Sequence, residues 1–262
     1  MSDVIGVYDS GSGGLSVLKH LQQQFPHQDF IYLADTCHLP YGNKTSEQIY
    51  HYSRSICHWF KQQNVKLIVS ACHTSSLIAV DSIARHIQTP IIGMARPLLR
   101  YLNHYHSKER VLMMATPTSV KSGCYPRMME SLNSRWLIDM MPCYDLVDII
   151  ESGNKDQIRN YLRRLFQNID QSNIDVVVLG CTHYALIQLD IETYLGAGVI
   201  CIDPATFIAD AVRPYVTMNT ETSLGSCRYV CTSSGGLNLG SFAFDYVAID
   251  WGDELELATK IS

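Results

Sequence analysis

The 262-residue sequence has no Cys-x-x-Cys pair, no basic run and no apolar stretch long enough to span a bilayer. Each absence removes a class of function. Without close cysteine pairs there is no zinc-type ligand set, so no metal is expected. Without a basic run, and with a net charge of −5, no nucleic-acid footprint is present. The absence of any apolar run of roughly 20 residues argues against a membrane partner. The opening Met-Ser-Asp-Val-Ile leads straight into a strand-like run with no basic n-region, so a cytoplasmic location is expected. Charge itself is scarce, at 17% of residues against 47% apolar. That is the balance of a compact chain with a sizeable core.

Cysteine is not scarce. The nine cysteines are odd in number and scattered, and several lie inside apolar runs such as Leu-Ile-Val-Ser-Ala-Cys72 and Val-Ile-Cys201-Ile. Most therefore read as small buried residues of a reducing compartment rather than a disulfide framework.

Short β-branched runs alternate with longer amphipathic ones, the pattern of parallel strands joined by helices. Strands are predicted at 5–8, 30–33, 67–70 and 91–94, then at 111–115, 137–141, 176–179 and 199–202. Matched in order, the two sets are offset by about 106 to 109 residues, which marks an internal duplication. Helices are predicted at 15–25, 46–63 and 204–215, the second opened by the capping box Thr45-x-x-Gln48. Ile49, Tyr52, Ile56 and Phe60 then recur at helical spacing and should face a core. The expected fold is α/β, with two pseudo-symmetric lobes that are each a mostly parallel sheet flanked by helices, and an active site between them. Lobe one is expected at 1–95 plus 205–262 and lobe two at 96–204. The turn-rich stretch 231–240 reads as a loose connection.

The halves agree in detail at one place. Val65-Lys-Leu-Ile-Val-Ser-Ala-Cys72-His73-Thr74 lies over Ile174-Asp-Val-Val-Val-Leu-Gly-Cys181-Thr182-His183. Parallel sheets bind ligands at the carboxyl ends of their strands, and both cysteines fall at that edge. Two thiols could then confront one ligand from opposite sides, while the plainer alternative is a pair of inert core cysteines. Tyr8-Asp9-Ser10-Gly11-Ser12-Gly13-Gly14 follows the first strand and could cradle an anion with backbone N–H groups. It has neither the Gly-Lys-Ser/Thr ending of a nucleotide loop nor the dinucleotide fingerprint. Pro40-Tyr41-Gly42, Thr116 with Ser119, and Glu151 complete the polar set at this edge. Donors, hydroxyls, carboxylates, an imidazole and two thiols together suit a small zwitterion with an extra anionic group.

Four of these motifs, in order, resemble those of the glutamate racemases of the aspartate/glutamate racemase superfamily. They are Asp9-Ser10-Gly11-Ser12-Gly13-Gly14, Pro40-Tyr41-Gly42, Ala71-Cys72-His73-Thr74 and Gly180-Cys181-Thr182-His183-Tyr184. The resemblance implies a homodimeric enzyme without cofactor that makes D-glutamate for peptidoglycan. It also implies roles. Cys72 and Cys181 are the paired acid and base, assisted by Asp9 and His183, with Glu151 supporting the second side. Ser10, Pro40, Tyr41, Gly42, His73, Thr74, Thr116, Ser119 and Thr182 bind the amino acid. The family usually reads Ala-Cys-Asn-Thr where this chain has His73, and proline where it has Ala185. The residues also leave open a racemase for aspartate or another amino acid, a binding homologue with weakened catalysis, and a cysteine hydrolase using Cys72. The hydrolase reading gives no reason for an equivalent second cysteine.

Overall fold

A computed structural model describes residues 3–104, 110–132, 136–167, 169–196, 198–216, 223–233 and 244–251. The eight strands predicted from β-branched runs are all present. They are β1 (Ile5–Asp9), β2 (Phe30–Ala34), β3 (Leu67–Ser70), β4 (Ile91–Gly93), β5 (Arg110–Ala115), β6 (Leu137–Pro142), β7 (Val176–Gly180) and β8 (Ile200–Ile202). Two more, β9 (Cys227–Cys231) and β10 (Asp245–Tyr246), follow near the end of the chain.

Two all-parallel sheets result. The first has the order β10-β9-β2-β1-β3-β4 and the second β6-β5-β7-β8. Stripped of β9 and β10, the first sheet repeats the second in order, so β1 corresponds to β5 and β3 to β7. This is the expected α/β architecture of two lobes, each a parallel sheet clad in helices. The central strands β1, β3 and β7 are buried along their whole length, which explains why they read as unbroken apolar runs rather than alternating ones.

Each sheet carries a core on both faces. In the first, Ile5, Val7, Leu21 and Ile208 pack on one side, and Leu33, Ile56, Phe60 and Ile68 on the other. The helix Ser46–Gln62 starts at a complete capping box. Thr45 Oγ1 accepts from the Gln48 amide at 3.2 Å, and Gln48 Oε1 accepts from the Thr45 amide at 3.0 Å. Its Ile49, Tyr52, Ile56 and Phe60 are buried as the spacing required. The helix predicted at 204–215 is an α-helix over Ala205–Val212 continued by a 3₁₀ turn at Arg213–Tyr215. Of the stretch read as a loose connection, 231 ends β9 and 234–240 lies outside the described residues. Strand β9 pairs with β2, and Val247, Ile249 and Trp251 pack against the core of the first sheet. Among the described residues no helix is long and apolar enough to cross a membrane.

Candidate active site

The carboxyl ends of β1, β3, β5 and β7 meet at the boundary between the sheets. Cys72 stands two residues past β3, and Cys181 immediately follows β7. Both thiols are nearly sealed, at 6% and 7% exposure. They are near enough that charge on Cys181 raises the Cys72 pKa. Burial and the Asp9 charge push the Cys72 thiol up to about 12, against backbone N–H groups of Ser75 and Thr74 that favour the thiolate.

Cys181 has a different neighbour. Its Sγ lies 4.0 Å from His183 Nδ1, and His183 Nε2 is 2.6 Å from Glu151 Oε1. Burial opposes charge on this imidazole. Bonding to Cys181 and Glu151, and the charges of Cys181 and Asp9, overcome it and raise the pKa to about 10. Glu151 is held below its ordinary value mainly by its bond to His183, aided by the Ser12 hydroxyl. The result is an imidazolium–carboxylate pair beside one thiol.

Asp9 ends β1 at 0% exposure. Its Oδ1 accepts from the Gly11 amide at 2.9 Å and its Oδ2 from Thr182 Oγ1 at 3.1 Å. Burial raises its pKa, opposed by the His183 charge and these donors. Ser10 is buried beside it.

Most of the remaining candidates bond to one another across the lobe boundary. Thr74 Oγ1 is 3.0 Å from Thr116 Oγ1, which donates to Ser119 Oγ at 2.9 Å, while Ser119 Oγ lies 3.2 Å from Thr74. His73 Nδ1 is 2.9 Å from the Tyr125 hydroxyl, and burial pushes this imidazole down to about 3, so it is neutral. Ser12 Oγ donates to Glu151 at 2.7 Å. Two glycines permit the close approach. A Cβ at Gly13 would lie 2.5 Å from Thr182 Oγ1 and 2.7 Å from His183 Nδ1, and one at Gly42 would lie 2.8 Å from Thr116 Cβ.

The Pro40-Tyr41-Gly42 turn is fixed by a residue the motifs did not single out. Asp35, buried just past β2, accepts from Tyr41 Oη at 2.6 Å and Thr232 Oγ1 at 2.7 Å, and contacts His38 Nδ1 at 2.9 Å. The Tyr41 phenol is therefore committed to Asp35, and its ring packs with Cys72 in one small cluster. A signal existed: Asp35 directly follows β2 where Asp9 ends β1, and its amide donates to the Asp9 carbonyl at 2.9 Å. Tyr125 was also missed, and Ser12, though inside the glycine motif, was given no role, because their partners lie 52 and 139 residues away.

Open cavities of about 350 and 380 Å³ lie elsewhere, around Arg96 and Arg100. Between Gly42 and Thr116 a cavity of about 10 Å³ remains. The polar groups at the boundary fill the space by satisfying each other, as buried polar groups must.

Known proteins resemble this chain in sequence and in fold. The Asp/Glu/hydantoin racemase family profile matches residues 5–212. A glutamate racemase of Picosynechococcus sp. is 37% identical over 211 residues, 80% of this chain and 75% of the relative. The glutamate racemase of Thermus thermophilus, solved with β-chloro-D-alanine, superposes with a TM-score of 0.79 at 28% identity, covering 93% of this chain and 96% of that one. The Francisella tularensis enzyme, solved with D-glutamate, gives 0.82 at 26% identity over 93% and 97%.

Proposed function

The chain belongs to the Asp/Glu/hydantoin racemase family, and on that premise we propose that it interconverts L- and D-glutamate by proton transfer between Cys72 and Cys181. One thiol, as thiolate, removes the α-proton. The other, as thiol, returns a proton to the opposite face. One turnover leaves the two protonation states exchanged, ready for the opposite enantiomer. The observation that carries this reading is the pair of sealed thiols at topologically equivalent strand ends of the two sheets, near enough for one to sense the other's charge.

An amino-acid α-proton is very weakly acidic, so donors must be in place where negative charge develops. His183, kept protonated by Glu151, stabilises charge at Cys181, and Asp9 orients Thr182 beside it. Thr74, Thr116 and Ser119 would exchange their mutual bonds for the substrate's carboxylates and amine, joined by Thr182, Ser10 and, through its other ring nitrogen, the Tyr125-bonded His73. Pro40, Tyr41 and Gly42 would line the wall near Cys72, with Asp35 holding the phenol. We assign lobe one to 1–95 plus 205–262 and lobe two to 96–204. The reaction needs no cofactor, and the setting would be a cytoplasmic homodimer supplying D-glutamate for peptidoglycan.

The test is deuterium incorporation at the α-carbon in D₂O, by NMR, with both enantiomers of glutamate and of aspartate. Wild type is compared with Cys72→Ser and Cys181→Ser. Exchange on glutamate that collapses in both variants supports the proposal. Exchange on aspartate alone moves the substrate and keeps the two-thiol chemistry. No exchange on any of the four by folded protein overturns the racemase reading.

A further inference from the structure

Tyr125 lies outside every motif described above, yet it is the partner of the residue that follows Cys72. It stands in the helix Cys124–Ser131 of the second sheet's lobe, fully buried among Leu98, Leu102 and Met129. His73 opens the short helix His73–Ile78 in the other lobe. Their contact at 2.9 Å crosses the lobe boundary next to a candidate catalytic thiol.

We propose that Tyr125 is a positioning residue: its hydroxyl donates to His73 Nδ1 and so fixes the tautomer with the proton on Nε2, presenting an uncharged donor for a substrate carboxylate beside Cys72. The proposal rests on the racemase reading of the site. The direction of the bond follows from the hydrogens available. A phenol can donate one proton, and a neutral imidazole has one donor and one acceptor. Among the described residues the Tyr125 hydroxyl has no hydrogen-bond partner besides His73. If Nδ1 carried the proton, the buried phenol O–H would be left without an acceptor, which native interiors avoid. With the phenol donating, both groups at the contact are satisfied and the ring proton resides on Nε2.

Nε2 is then the free end of the pair. Among the described residues it has no protein partner, and it is not one of the sealed unbonded atoms, which are the hydroxyls of Tyr8, Ser53 and Tyr184. A nearly buried donor without a protein acceptor is what a ligand carboxylate would complete. Burial keeps the ring neutral through the physiological range, so the donor does not switch its charge with pH. In histidines generally, the bond made by one ring nitrogen decides the state of the other. The corresponding position after the second thiol is filled differently. Thr182 reaches across the same boundary to Asp9, and a hydroxyl rotor needs no tautomer to be chosen.

Two measurements test this. The first needs no activity. ¹⁵N-histidine NMR of the free protein should show His73 as the Nε2–H tautomer in wild type and as a tautomer mixture in Tyr125→Phe. The Nδ1–H form in wild type, or a spectrum unmoved by Tyr125→Phe, overturns the proposal. The second is kinetic. Tyr125→Phe should raise KM about fivefold, the scale of one compromised hydrogen bond, with kcat little changed and thermal unfolding nearly unshifted. In a His73→Asn background, whose amide donor has no tautomer, Tyr125→Phe should leave KM unchanged. An equal KM effect in both backgrounds would make Tyr125 a general packing residue and overturn its role. Loss of α-proton exchange in wild type itself would instead strike the racemase reading and the substrate half of this proposal. The tautomer measurement would still decide what Tyr125 does to His73.

Discussion

Cys72 and Cys181 end strands that hold the same place in their sheets, but the charges around them are not duplicated. At the edge of the first sheet, β1 ends on a buried carboxylate, Asp9, and β2 is followed by another, Asp35. The matching places in the second are Ala115 and Cys143, tied by the same amide-to-carbonyl bond at 2.9 Å. The second lobe carries instead the His183–Glu151 pair, at 2% and 31% side-chain exposure. The Cys72 thiol thus feels the Asp9 carboxylate and is followed in sequence by a neutral imidazole, and the Cys181 thiol lies beside an imidazolium. Duplication supplied the two-sided geometry, and later divergence made the sides unlike. On the two-thiol proposal both protonation states must be reached in turn, and the inequality sets which of them is favoured at rest.

The comparison breaks most completely at the thiols. Cys72→Ser and Cys181→Ser should each lower racemisation by about 10³-fold, within the usual range for a positioned acid or base. Enantiomers are equal in free energy, so kcat/KM must fall equally in both directions for either variant. Circular dichroism of the substrate, followed from each enantiomer, checks this. A variant that keeps more than a tenth of the activity would reduce its cysteine to a packing residue.

Next in size are the glycines that let the lobes meet. Gly13→Ala drives a methyl group into Thr182 and His183, while Gly42→Ala meets the Thr116 side chain. We expect about a 100-fold loss for the first and about tenfold for the second, since misplacing reacting groups by an ångström is costly. Both variants should also unfold at somewhat lower temperature, since overpacking of this kind costs about 1–3 kcal/mol. Equal losses would mean that closure as a whole, and not the Cys181 side, limits the rate.

Glu151→Gln sharpens the electrostatic half. With His183 held at about 10, above the ordinary 6.5, its stabilising contribution is complete below pH 6.5 and disappears as pH rises through 10. Glu151 is depressed below 4.5, so its contribution holds above that value and fades as pH falls. The unfolding-temperature gap between wild type and Glu151→Gln should therefore be widest near pH 5 to 6 and close toward pH 10. Activity of the variant should fall about tenfold at pH 8 and less at pH 6, as His183 loses its proton more readily. A flat ratio across pH would remove His183 protonation from the mechanism.

What could be read from sequence follows the same division. Strands were legible because β-branched apolar runs such as Leu-Ile-Val-Ser before Ala71 recur at a fixed offset, and Cys72 and Cys181 stood out because the duplication placed them alike. Strands β9 and β10 were not. Cys227–Cys231 is a short segment amid turn formers, and only pairing with β2 makes it a strand. Asp35, Ser12 and Tyr125 escaped for a related reason. Asp35 at a strand end and Ser12 inside the glycine motif carried only a hint and Tyr125 none, and their roles come from Tyr41 and Thr232, Glu151, and His73, brought to them by folding.

The smallest effects concern the residues that tie the lobes together. Thr182 bonds to a buried carboxylate, whereas Thr74 bonds to other hydroxyls. Hydrogen bonds to charged groups contribute about 1.5–3 kcal/mol and neutral ones about 1 kcal/mol. Thr182→Val should therefore cost more stability than Thr74→Val, measured by urea unfolding. The Thr74 loss is smaller still because the Thr116–Ser119 bond at 2.9 Å survives it. Thr116→Val removes the centre of that knot, so adding Thr74→Val to it should cost less than Thr74→Val alone. Strict additivity would mean that the three hydroxyls act separately, and that the first lobe is held to the second at this corner by packing rather than by the bonds a substrate must replace.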